Sequence, residues 1–157
     1  MRKHFTATAY IAAKIDGEIK ILLHKHKKLG FWVGIGGHVE KEENPVDTAM
    51  REVKEETNLD ITCISSTKKP LLRETEVSEI PLPIMLLEER IPAYDSEPPH
   101  IHIDNIFAAT TKHPENVSMS EEYEWFNNSQ ITKLTGKTAH QIQEIADRVF
   151  TLVKNNL

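Results

Sequence analysis

Cysteine is almost absent from this chain. Cys63 stands alone, so no internal disulfide can form, and the usage suits a reducing compartment such as the cytoplasm. Long apolar runs are missing too. "PIMLL" at 83–87 is typical, far short of the roughly 18 residues that cross a bilayer. The opening "MRKHFTATAY" has no sustained apolar stretch, so no signal peptide is expected. Nor is there a basic excess: the net charge of −5 and pI near 5.9 speak against a nucleic-acid polymer as partner. Neither a membrane nor a polynucleotide is therefore expected.

What remains is an ordinary globular composition, 39% hydrophobic and 27% charged. No repeat, low-complexity tract or linker divides the chain. Residues 1–157 are expected to form a single domain, large enough to enclose a core.

The first third reads as strands. "FTATAYIAAKI" and "EIKILLHKH" flank "DG", a hairpin turn signal, and a glycine-rich "GFWVGIGGHVE" follows. Strands are also expected in "LDITCISST", "LPIMLLEERI" and "HIHIDNIFAATTK", with the proline-rich "PAYDSEPP" as a loop. In the C-terminal "TAHQIQEIADRVFTLVKN", Ala139, Ile142, Ile145, Ala146, Val149, Leu152 and Val153 form one helical stripe. A mixed α/β fold, a sheet covered by helices, is the expected architecture.

Charge is concentrated in one place. Gly36 to Leu59 holds six glutamates and an aspartate. A helix is expected here: Asn44 can cap it, Pro45 suits its first position, Asp47 meets the positive end of the dipole, and Asn58 can end it in the left-handed conformation. At about 100° per residue, Glu52, Glu55 and Glu56 share a face. Val46, Ala49, Met50 and Val53 form a neighbouring stripe able to pack on a sheet. Like charges at i and i+4 repel, and Lys54 lies on the far side. A solvated face is the common reading of such a run. The other is a site for Mg²⁺ or Mn²⁺, hard cations that bridge carboxylates and substrate phosphates.

The order of residues favours the second. Gly37, five residues, Glu43, seven residues, then Arg51-Glu52-Val53-Lys54-Glu55-Glu56-Thr57-Asn58-Leu59 resembles the Nudix box, G-x5-E-x7-R-E-U-x-E-E-x-G-U. Asn58 alone departs, standing where the family has glycine, and asparagine is the next best residue for a left-handed position.

The resemblance implies an α/β/α sandwich with a mixed sheet, and a hydrolase cutting a diphosphate bond in a nucleoside diphosphate linked to another group. It assigns Glu52, Glu55 and Glu56 to divalent metal, with the Gly36 carbonyl as a further ligand. Glu43 would orient the site from behind, and Arg51 would tie the box together by pairing with Glu43. A catalytic base is implied, either a box glutamate or a glutamate from a distant loop. Many members carry an acidic residue just before a Trp-Phe pair, and in "SMSEEYEWF" Glu122 is preferred to Glu121 and Glu124 as catalytic and metal-binding residue. A nucleoside triphosphate, oxidised ones included, is the expected substrate, as in the MutT-like group. ADP-ribose and dinucleoside polyphosphates are alternatives. Some members only sense nucleotides, usually after losing box glutamates; all are present here. Many members are homodimers, but no interface is legible.

Two further stretches draw attention. In "HIHID", His100, His102 and Asp104 alternate onto one strand face. Half-buried polar residues are the favoured reading and a substrate contact by His102 the next; zinc is disfavoured because the usual structural spacing is missing. In the basic "HKHKKLGFW", Lys25, Lys27 or Phe31 could meet a base or phosphate, or the stretch is a solvated hairpin end.

Overall fold

The computed structural model describes residues 1–27, 30–67, 69–118 and 122–157. The remainder of the basic stretch (Lys28 and Leu29) and Glu121, the alternative to Glu122, lie outside them.

The long first strand organises the sheet. β1 (Lys3–Ile15) turns through Asp16 and Gly17, both with positive φ, into antiparallel β2 (Glu18–Lys25). This is the turn that "DG" specifies, because two left-handed residues match the twist of paired strands. β3 (Trp32–Val33) pairs with β2, and β4 (Ile35–His38) pairs with the first half of β1. After the first helix come β5 (Thr62–Ile64), β6 (Met85–Ile91), β7 (His100–Thr110) and β8 (Tyr123–Asn127). β7 lies parallel to β1 along ten residue pairs, from Lys3 opposite Ile101 to Ala12 opposite Thr110. β5 and β6 pair with the free side of β7, and β8 with β2.

Helices cover both faces. α1 (Pro45–Thr57) sets Val46, Ala49 and Val53 against Ala7, Ala9 and Ile11 of β1. α3 (Ala139–Val153) sets Ile142, Ile145, Ala146, Val149 and Val153 against the opposite face, around Tyr10, Ala12, Ile21 and Leu23. Alternating residues of β1 thus feed two separate cores, as the period of two requires. A short α2 (Asn128–Thr132) precedes α3. The architecture is an α/β/α sandwich.

The ends of α1 follow local chemistry. Asn44 Oδ1 accepts from the Asp47 amide at 2.9 Å while the Asp47 carboxylate accepts from the Asn44 amide, a reciprocal cap. Asn58 closes the helix at φ 65°, its amide donating to the Lys54 carbonyl. Met50 differs from expectation: it is exposed, because the sheet accepts a stripe only as wide as Val46, Ala49 and Val53. Asn58→Gly is expected to leave stability within about 0.5 kcal/mol, whereas Asn58→Val should cost about 1–2 kcal/mol, since a branched side chain tolerates positive φ poorly. Urea denaturation midpoints of the two variants check this.

Candidate active site

β4 and α1 meet where the acidic face emerges. β4 runs antiparallel to β1, with Gly36 opposite Thr8 and Gly37 opposite Ala7. Both glycines are dictated by close approach. A Cβ on Gly36 would run into the Ala7 carbonyl, and one on Gly37 into the Glu52 carboxylate. Glu52 therefore lies directly against the glycine loop, brought there by the docking of α1 on β1.

Arg51 is the hub of the cluster. Its Nε donates to both oxygens of Glu43, at 3.0 and 3.1 Å, and a second nitrogen pairs with Glu43 at 2.9 Å. Another guanidinium nitrogen donates to Glu52 at 3.0 Å and Glu55 at 3.3 Å. The nitrogen that pairs with Glu43 at 2.9 Å also reaches the His38 carbonyl at 3.4 Å and Glu40 at 3.6 Å. The planar fork is what lets one side chain hold loop and helix together. Hydrogen bonding to Arg51 holds the Glu43 carboxyl below its usual range, and the same bond raises Arg51 further above its own.

Glu56 lies behind this network. It accepts from the Tyr123 hydroxyl at 3.4 Å, and its other close neighbour is Glu52. Burial, then the Glu52 charge, pushes its pKa up to about 7. Burial and the neighbouring Glu56 likewise push Tyr123 up to about 12. Two carboxylates in contact, with a single arginine on only one of them, are short of positive charge. Hard oxygen donors in that state fit a Mg²⁺-type cation, which would be held by Glu52 and Glu56 with the exposed Glu55 alongside.

The other expected residues are distributed as follows. Glu122 directly precedes Tyr123, but its carboxylate pairs with Lys27 at 2.8 Å and reaches His24 at 3.7 Å; its link to the box runs through Tyr123. His24 in turn stacks on the Tyr123 ring, with centroids 4.8 Å apart. Phe31 stacks on His26, and the Lys137 ammonium lies 5.5 Å from its ring centre. His102 sits in a group of histidines on the sheet face opposite α1. Tyr123 was not singled out by sequence; its place beside Glu122 was the available signal.

A sequence model of the NUDIX domain matches residues 4–148, nearly the whole chain. The chain belongs to the Nudix family. Solved structures agree on the fold. A Nudix-family hydrolase from Clostridium perfringens superposes with a TM-score of 0.72 at 22% identity, covering 97% of this chain and 99% of its own. The C. elegans Ap4A hydrolase gives 0.66 at 18%, covering 98% and 99%. The NUDIX domain of Shewanella oneidensis NrtR, solved with ADP ribose, gives 0.52 at 16%, covering 94% and 88%. This Nudix chain retains every carboxylate of the box.

Proposed function

We propose that this Nudix enzyme hydrolyses a diphosphate bond within a nucleoside diphosphate linked to a further group, with Mg²⁺ or Mn²⁺ held by Glu52, Glu55, Glu56 and the Gly36 carbonyl. The observation carrying this reading is the contact of Glu52 with Glu56, Glu52 lying against Gly37 of β4, with Arg51 on Glu52 and Tyr123 on Glu56. When bound, such a cation supplies charge neutralisation on the phosphate oxygens and acidifies a bound water.

The chain's own residues set the geometry. Arg51, anchored on Glu43, fixes the rotamer of Glu52. Gly37 leaves the space that the Glu52 carboxylate fills. Tyr123 donates to one oxygen of Glu56, whose carboxylate also meets Glu52. A base acting on the attacking water contributes roughly 10²–10⁴-fold. A box glutamate fits that role by position; Glu122, next in the chain to Tyr123, is the distant-loop candidate.

A nucleoside triphosphate is the working substrate. The relatives named for Ap4A hydrolysis and solved with ADP ribose put dinucleoside polyphosphates and ADP-ribose beside it as alternatives. Phe31 is the side chain proposed to touch the substrate; the contact expected of His102 is not carried forward, because its ring packs among His4, His38 and His100 on the sheet face opposite α1. The lone buried Cys63, its thiol pushed up to about 11 by burial, is compatible with a cytoplasmic setting. No described helix is long and apolar enough to cross a membrane.

The test is incubation with Mg²⁺ and a panel of nucleoside triphosphates, ADP-ribose, dinucleoside polyphosphates and nucleotide sugars, with products resolved by anion exchange. Turnover of one compound, abolished by chelator and by Glu55→Gln or Glu56→Gln, is the expected result, with Glu122→Gln reporting on the distant base. Nucleotide binding without product from any compound would replace hydrolysis by a sensing role.

A further inference from the structure

The parallel pairing of β1 with β7 places His4 opposite His102, with His100 two residues earlier on the same strand face. The end of β4 adds His38. The four rings pack together: His4 lies 4.9 Å from His100, 5.3 Å from His38 and 6.1 Å from His102, and His38 lies 5.0 Å from His102. This face of the sheet is the one opposite α1, since the residues continuing the alternation from His4, Tyr10 and Ala12, belong to the α3 core.

Hydrogen bonding leaves this group incomplete. Neither ring nitrogen of His4 has a hydrogen-bond partner among the described residues, and both are shielded from solvent. An imidazole always carries at least one donor, and buried polar atoms of this kind are rarely left unpaired. His100 Nδ1 lies 2.9 Å from the Pro98 carbonyl, so it carries the proton and the Nε2 lone pair points inward. That lone pair faces His102 Nε2 at 3.1 Å. A hydrogen bond between these two would satisfy the pair but do nothing for His4.

We propose that His4, His100 and His102 form a binding site for one zinc-class divalent cation, distinct in place and ligand chemistry from the box carboxylates. One nitrogen from each ring lies within 4.8 Å of the others. Tetrahedral coordination at the usual Zn–N length of about 2.0–2.1 Å puts ligand nitrogens roughly 3.3 Å apart. The His100–His102 pair is already at that spacing, and a rotation of the His4 ring supplies the rest. Imidazole selects zinc, copper, nickel or cobalt over magnesium, so the two sites sort their ions by donor chemistry. The Pro98 carbonyl on His100 is the outer contact that ligating histidines generally make, fixing tautomer and ring orientation. Asp104, next along the face, is not a ligand: Thr6 and Thr8 already donate to its carboxylate at 2.9 Å. Three nitrogens leave a fourth position for water. The spacing argument against zinc made from "HIHID" alone does not hold, because His4 comes from 96 residues earlier in the chain.

The experiment is a titration of chelator-stripped protein with Zn²⁺, and with Co²⁺ as an optical probe, in saturating Mg²⁺. Wild type and Glu56→Gln are expected to bind one equivalent, and His4→Gln and His102→Gln to bind at least about tenfold more weakly, since loss of an outer contact alone costs about 10–100-fold. Imidazole ¹⁵N shifts of the three histidines in the wild type give the same answer without a variant. Zinc held by the His102→Gln protein but lost from Glu56→Gln would assign the ion to the glutamates and overturn the proposal. So would the absence of saturable zinc binding, or of any histidine ¹⁵N shift, in the wild type.

Discussion

Glu56→Gln is expected to lower turnover by roughly 10²-fold or more while leaving the metal-free protein no less stable than the wild type. The two halves follow from one geometry. Glu56 is partly buried, and its carboxylate meets Glu52 with, among the described residues, the Tyr123 hydroxyl to offset the charge. Like charges in contact away from water oppose folding, and a neutral amide of the same shape removes the repulsion. Function would require that repulsion, because it is what a divalent cation relieves. Added Mg²⁺ should therefore raise the melting temperature of the wild type and raise that of the variant less, by ordinary binding linkage. Melting curves with and without chelator, run beside kcat, check both. A variant that melts well below the metal-free wild type would show that Glu56 has a structural role, and the cation reading would lose its physical basis.

Arg51→Met should have the largest effect on stability of any charge-removing change in the box. It removes the partner of Glu43, Glu52 and Glu55 together and leaves the well-shielded Glu43 carboxylate with no cation. Stripping one partner from a fully buried pair costs about 3–5 kcal/mol. Arg51 keeps about a quarter of its side chain in solvent (27%), so the expected loss is smaller, roughly 1–3 kcal/mol. Turnover should fall with it, because Glu52 loses the contact that fixes its rotamer. Arg51→Lys should recover part of the stability and little of the turnover, since an ammonium cannot span Glu43 and Glu52 as the fork does. Urea denaturation, combined with a cycle through Glu43→Gln and the double variant, separates this network from loss of packing. Equal losses for the methionine and lysine variants would argue that shape, rather than the charged fork, matters here.

Local chemistry was legible in the chain. Asn44, Pro45, Asp47 and Asn58 bound α1 because capping uses neighbours within a turn, and "DG" made its hairpin for the same reason. Spacing placed Glu52, Glu55 and Glu56 on one face and marked Val46, Ala49 and Val53 as the packing stripe. It misjudged Met50, since the width of that stripe is set by the sheet beneath it rather than by the helix. Arg51 and Glu43 could be paired from the box pattern. The contact of Glu52 with Gly37, the reach of Tyr123 to Glu56, and the turning of Glu122 toward Lys27 could not, because each joins strands or loops whose approach only the sandwich decides. The histidines show the same division most clearly. Alternation put His100 and His102 on one face of β7, a fact of strand geometry. Only the long-range parallel pairing of β1 with β7 brought His4 to them, because neighbouring positions in a sheet are chosen by the burial of two cores and not by distance along the chain.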